Sequence, residues 1–162
     1  DAPLPIGHGQ TNSQPSTVAR MLDLLAPEVG DRVLDVGCGS GWTTALLAYL
    51  VGEEGSVIGV EIVPELTEQA RRNLAAHGLG HVRVEQAHRD VLGLPDEAPF
   101  ERILVSASAR HFPRPLVPQL AEEGRLVVPV RRSLCVADRE GVDVLQVRRV
   151  GRYRFVPLIW NG

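Results

Sequence analysis

Apolar positions along this chain follow two rhythms that alternate from about residue 13 onward. Val18, Met21, Leu22 and Leu25 fall three or four apart, the spacing of one helix face. Ser13 is placed to cap that helix, Pro15 sits near its first turn, and Pro27 and Gly30 end it. A short strand, Arg32 to Val36, runs straight into a glycine-rich turn and a second helix from Trp42 to Val51, closed by Gly52. The next run, Ser56 to Ile62, is almost continuously apolar until Glu61, as in a strand covered on both faces. Pro64 opens a third helix, with Glu65 and Glu68 early, Arg71 and Arg72 late, and Gly78 as its stop.

Further strands are predicted at Val82 to Val84, Arg102 to Ser106 and Arg125 to Val130, with a short helix over Arg114 to Leu120. The remainder reads as antiparallel strands at Leu134 to Ala137, Val142 to Val150 and Tyr153 to Ile159. Residues 1–12, rich in Gly and Pro, read as irregular. Strands alternating with helices imply right-handed crossovers and an α/β fold. The expected architecture is a mainly parallel central sheet with helices on both faces and antiparallel C-terminal strands. At 162 residues this is one domain over 1–162.

Composition narrows the class. Hydrophobic residues make up 44% and charged residues 23%, the balance of a globular chain, and no apolar run approaches the ~20 residues of a membrane span. Cys38 and Cys135 form no C-x-x-C or metal-like spacing; with no signal-peptide pattern, they point to reduced thiols and a cytoplasmic protein. His77 and His81 suggest a metal pair, but Gly78 and Gly80 break the helix between them, so no metal is expected. The net charge of −3 hides an asymmetry. From Arg125 onward eight arginines face Asp138, Glu140 and Asp143, a local +5 that leaves −8 on the rest. In Arg152-Tyr153-Arg154-Phe155 the alternation sends arginines one way and aromatics the other, the pattern of a half-buried strand rather than a nucleic-acid stripe.

The chemical signal is Asp35-Val36-Gly37-Cys38-Gly39-Ser40-Gly41 between strand and helix, with Glu61 ending the next strand. Glycines there let the backbone turn tightly and approach a ligand, and a carboxylate at Glu61 can accept hydrogen bonds from both ribose hydroxyls. Dinucleotide sites prefer G-x-G-x-x-G. Here Trp42 stands at the third glycine's position and Gly41 comes one residue early. A phosphate loop ending in G-K is excluded, because all seventeen basic residues are arginine. The spacing is instead similar to that of enzymes using S-adenosylmethionine.

Outside the loop, residues 3–15 (PLPIGHGQTNSQP), 98–103 (APFERI), 124–130 (GRLVVPV) and 155–158 (FVPL) closely resemble the protein-L-isoaspartate O-methyltransferase family. The helical segment that family members carry before the first motif is not seen here. The resemblance implies a Rossmann-like methyltransferase fold, S-adenosylmethionine as cofactor, and methylation of the free carboxylate of L-isoaspartyl residues. The ester then collapses to a succinimide that reopens partly as normal aspartyl, a protein repair. It implies protein or peptide substrates bearing isoaspartyl residues, with neither membrane nor nucleic acid as partner. It also implies that Asp35, Gly37, Cys38, Gly39 and Gly41 border the methionine part of the cofactor, and that Ser13 lies near the transferred methyl. No catalytic base is needed, since carboxylate and sulfonium are already activated and require alignment and exclusion of water.

Two departures stand out. The family's Gly-Asp-Gly adenine motif is replaced by Ala87-His88-Arg89-Asp90. Counted forward from the third strand His88 takes the aspartate position; counted back from Gly93 Arg89 does, with Asp90 beside it. This leaves His88 and Asp90 as the candidates for the adenine contact. Ser16 stands where a larger aromatic or His is common. These departures keep open an O-methyltransferase for another peptide or small-molecule acceptor, and the missing N-terminal helical segment keeps open a non-catalytic S-adenosylmethionine-binding domain.

Overall fold

The structure, a computed structural model, describes residues 1–79 and 82–162. His81 and Gly80 of the considered histidine pair therefore lie outside the described residues. A short hairpin, β1 (Leu4–Gly7) and β2 (Gln10–Asn12), precedes helix α1 (Pro15–Leu25). Then come β3 (Arg32–Val36), α2 (Trp42–Val51), β4 (Ser56–Glu61), α3 (Pro64–Ala76), β5 (Arg83–Gln86) and β6 (Phe100–Val105). Three long strands close the chain: β7 (Leu120–Val130), β8 (Ser133–Glu140) and β9 (Val144–Val150).

The main sheet has seven strands in the order β5-β4-β3-β6-β7-β8-β9. Pairing is parallel from β5 to β7 and antiparallel from β7 to β9. After β5 the chain returns to the other side of β3, so the strand order reverses between β3 and β6. A crevice opens at the carboxyl ends of the strands flanking such a switch point.

Each face of the sheet carries its own core. On one, Met21 and Leu25 of α1, Leu47 and Val51 of α2 and Leu74 of α3 pack on Val33, Val57, Leu104 and Val127. On the other, Leu34, Ile58, Ile103, Leu126 and Val128 pack with Phe100, Leu92 and Leu116. The three α-helices share the first face. The second is covered by loops and two 3-10 helices, Pro95–Glu97 and Arg114–Gln119, so the helical cover there takes the tighter form. Pro118 explains why the predicted helix at Arg114 is not α: it lacks the N–H that an α-helix would bond to the Arg114 carbonyl, and the residue before each proline is pushed off α geometry.

Three other expectations are corrected. Residues 4–12 are a hairpin rather than irregular chain; Gly7, His8 and Gly9 all take positive φ and make the turn. Ser13 does not cap α1. Gln14 is the N-cap residue and makes no side-chain cap, while the Ser16 N–H and hydroxyl donate to the Asp1 carboxylate at 2.9 and 2.6 Å. An anion from the chain's start thus meets the helix's free donors, which relieves Ser13 of that task.

Residues 153–159 form no strand. Gly151 (φ +61) turns the chain away from the β9 edge, so the segment crosses the ends of β6 and β7. Its N–H groups at Tyr153 and Leu158 donate to the carbonyls of Arg132 and Ser108, and the Ser108 N–H donates to Val156. The alternation survives without the strand: Tyr153 and Phe155 pack against the core while Arg152 and Arg154 are exposed. Among the described residues no helix is long and apolar enough to cross a membrane.

Phe100 is fully buried, and the Arg32 guanidinium lies 4.7 Å over its ring centre. Phe100→Ala should lower the unfolding free energy by about 3–5 kcal/mol, the usual cost of emptying an aromatic core position. Urea unfolding followed by circular dichroism measures it; a loss under about 1 kcal/mol would show that the surroundings collapse into the space.

Candidate active site

The turn between β3 and α2 is built on positive backbone angles. Gly37, Gly39 and Gly41 have φ of +76°, +55° and +83°, a region that side-chain-bearing residues rarely adopt. The N–H groups of Gly37 and Cys38 both donate to the Val60 carbonyl, at 2.8 and 3.1 Å, which ties the turn to β4. Gly41 serves a different contact: a Cβ there would stand 3.2 Å from that of Ala70 on α3. The third glycine therefore allows close helix packing, and Trp42 after it is free to line the cleft.

Glu61 ends β4 and is 5% exposed. The Gly39 N–H donates to its Oε2 at 2.8 Å and the Val63 N–H to its Oε1 at 2.9 Å. Each carboxylate oxygen has two acceptor positions, so both keep one for a ligand in the cleft that Glu61 lines.

Asp35 lies beneath the turn, fully buried, and does not line the cleft. Its Oδ2 accepts hydrogen bonds from Thr43 and Thr44 at 2.7 Å each, and its Oδ1 has no partner among the described residues. Burial is the main reason its pKa rises from 3.8 to about 6; the threonine bonds oppose the rise and Glu61 adds to it. Cys38, also buried, has its thiol pushed well up by burial first and then by Asp35 and Glu61, so it stays protonated. Its place is steric: a Cβ at Gly59 would come within 3.0 Å of its Sγ.

A cleft of about 900 Å³, including its open mouth, lies over these groups. Gly37, Cys38, Gly39 and Glu61 form part of its floor, and Ser13 and His88 stand in its walls. Gly41 and Asp90 are not in the lining. Asp90 instead accepts a 2.7 Å hydrogen bond from the Asn161 side chain on the surface. Of the two adenine candidates, only His88 is brought to the cleft. Ser13 is half-buried and makes no hydrogen bond among the described residues.

Sequence reasoning missed several parts of the lining. Residues 156–160 form one wall, and nothing local in that stretch signals it. Ser106, just past the carboxyl end of β6, lines the floor with a buried hydroxyl that has no partner among the described residues. Its place at a strand's carboxyl end beside the switch point was a readable signal. Asn12 is tied in by Ser40, whose hydroxyl donates to Asn12 Oδ1 at 3.0 Å.

This sheet order, with a glycine turn and an acidic strand end at the switch-point cleft, is the fold of the Rossmann-like methyltransferases. The model of the protein-L-isoaspartate(D-aspartate) O-methyltransferase family matches residues 1–161, and the chain belongs to that family. It is 47% identical, over 98% of its length, to the protein-L-isoaspartate O-methyltransferase of Aeropyrum pernix, and spans 63% of that relative. It is 43% identical to protein-L-isoaspartate O-methyltransferase 2 of Archaeoglobus fulgidus, over 98% of this chain and 73% of the relative. Among solved structures, one of a protein-L-isoaspartate O-methyltransferase matches with a TM-score of 0.84 and 29% identity, over 91% of this chain and 48% of the other. A Plasmodium falciparum protein described as a methyltransferase of this kind, solved in complex with S-adenosyl-L-homocysteine, matches with a TM-score of 0.86 and 28% identity. That match covers 99% of this chain and 81% of the other.

The raised pKa of Asp35 makes a stability prediction. The folded state binds this proton more tightly than the unfolded chain does. Asp35's contribution is therefore full below about pH 4 and is lost as pH rises through about 6. The change from 3.8 to about 6, at about 1.4 kcal/mol per pH unit, corresponds to about 3 kcal/mol. Asp35→Asn should flatten the fall in unfolding free energy between pH 4 and 6, measured by urea titration at each pH. Parallel curves for parent and variant would refute the burial of this carboxyl as the cause.

Proposed function

We propose that this domain methylates the free carboxylate of L-isoaspartyl residues in peptides and proteins, using S-adenosylmethionine, as a step of protein repair. The observation that carries this reading is that Ser13 and Glu61 line one cleft, in a chain of this family. When bound, S-adenosylmethionine supplies a methyl group on a cationic sulfur, which a carboxylate oxygen takes with release of S-adenosylhomocysteine.

The residues present fit that ligand. Glu61 offers its two remaining acceptor positions to the ribose hydroxyls. The backbone at Gly37, Cys38 and Gly39 comes close to the methionine portion because no side chain stands on the two glycines. His88 faces the adenine end, while Asp35 and Gly41 act from below, one supporting α2's first turn and the other the contact with α3. Ser106 has an unused hydroxyl for a polar group on the floor. Two carboxyl groups under the cleft, Asp35 and Glu61, favour a cation above them. Ser13 donates its free hydroxyl to the acceptor carboxylate and aligns one oxygen with the methyl, a task of positioning rather than proton transfer. We place the reaction in the cytoplasm, where Cys38 and Cys135, both free and buried, stay reduced.

The test is methyl transfer to three peptides differing at one residue: isoaspartyl, aspartyl and an amide-capped control. Transfer confined to the isoaspartyl peptide is expected. Transfer to aspartyl or to a small carboxylic acid at equal rate would assign a different acceptor. No transfer despite cofactor binding would leave a binding domain. Ser13→Asn should lower kcat/KM by about a hundredfold, the order for removing a positioned donor. Its unfolding free energy should stay within about 0.5 kcal/mol, because Ser13 holds nothing in the fold. An active Ser13→Asn protein would return this residue to packing.

A further inference from the structure

Beyond Ser13 the cleft does not end. A second groove, about 1080 Å³ including its open side, shares Thr11, Ser13 and Val156 with the first. It runs outward between Gln14 and Thr17 on one side and Arg152 and Arg154 on the other. A shallower depression continues it past Tyr153 to Arg132. No Asp or Glu lines either part, and none of the three arginines makes an ion pair among the described residues. All three are exposed.

Their positions are fixed by backbone rather than by chance. The Tyr153 N–H donates to the Arg132 carbonyl at 2.9 Å, which joins the C-terminal segment to the turn between β7 and β8. Gly151 at φ +61 lets the Tyr153 ring fold back over it; a Cβ there would stand 2.5 Å from the ring. Tyr153 and Phe155 are thus held against the core, and the arginines between and beside them face outward.

We infer that this arginine-lined groove binds the polypeptide flanking the methyl acceptor and selects acidic flanking residues. The inference rests on the methyltransferase reading above, since it takes Ser13 as the point where the acceptor enters. A peptide whose modified residue reaches Ser13 has its neighbours laid along a lining whose charged side chains are all arginines. Long-range attraction between arginines and carboxylates also speeds and orients docking. Nucleic acid fits less well, because Tyr153 and Phe155 are turned inward and offer no stacking face for bases.

The test measures binding rather than turnover. With S-adenosylhomocysteine bound, affinities are compared by fluorescence anisotropy for isoaspartyl peptides with glutamates, alanines or arginines on both flanks. The protein is used as the parent, as Arg152→Glu/Arg154→Glu, and as Arg132→Glu. All three sites are exposed, and unfolding curves check that the variants fold. The glutamate-flanked peptide should bind the parent about fivefold or more tighter than the arginine-flanked one, the order set by two or three exposed ion pairs. The preference should shrink with added salt and reverse in the double variant. Equal affinities in the parent, or a preference that survives charge reversal, would overturn the inference. Tighter binding of a single-stranded oligonucleotide than of the acidic peptide would overturn it too, assigning the arginines to nucleic acid. An acidic preference of the same size with normal aspartyl peptides would support the groove while removing the isoaspartyl reading.

Discussion

The carboxylate of Glu61, held by the N–H groups of Gly39 and Val63, is the contact on which the cleft depends. It joins the glycine turn, the end of β4 and the start of α3 through one nearly buried side chain. Other contacts converge on the same turn. Asn73 of α3 donates to the Ser40 carbonyl at 2.9 Å, Ser40 holds Asn12 of the hairpin, and Ile6 of the hairpin closes over Gly39. A Cβ on Gly39 would stand 2.9 Å from Ile6 Cδ1, so glycine is required there both by the backbone angle and by the hairpin above it. The hairpin that delivers Ser13 is thereby fixed against the turn that Glu61 holds, which sets the two residues relative to each other across the cleft.

Keeping two carboxyl groups under one turn is unfavourable, and the structure divides that cost unequally. Glu61 receives two backbone donors and a place at the cleft surface. Asp35 receives two hydroxyl donors on one oxygen, none on the other, and no solvent, so its proton is released only near pH 6. Burying an unsatisfied polar atom is costly, and a cation in the cleft would lower the cost of its charge. The cationic cofactor proposed above would interact favourably with both carboxylates.

Much of this was legible in the chain. The glycine turn, Glu61, and helices α1 to α3 follow from periodicity and from Gly and Pro punctuation, because local geometry decides them. The opening hairpin was hidden since its strands are only four and three residues long and its turn uses His8 at positive φ, an unusual choice. The capping of α1 by Asp1 is a contact between residues 15 apart that no local pattern encodes. The stretch after Gly151 carries the correct alternation for a strand, yet one glycine at positive φ diverts it to become a cleft wall. At residues 87–90 tertiary placement separates what the sequence left together: Asp90 is held on the surface by Asn161, while His88 lines the cleft.

If Glu61 both braces the turn and receives the ribose, the two roles separate by ligand. The most direct measurement is calorimetric binding of S-adenosylhomocysteine, and of an analogue lacking the 2′- and 3′-hydroxyls, to the parent and to Glu61→Gln. The account predicts a loss of about tenfold or more for S-adenosylhomocysteine, the order of a charge-assisted hydrogen-bond partner, and a much smaller loss for the analogue. Equal losses for both ligands, or none for either, would contradict it.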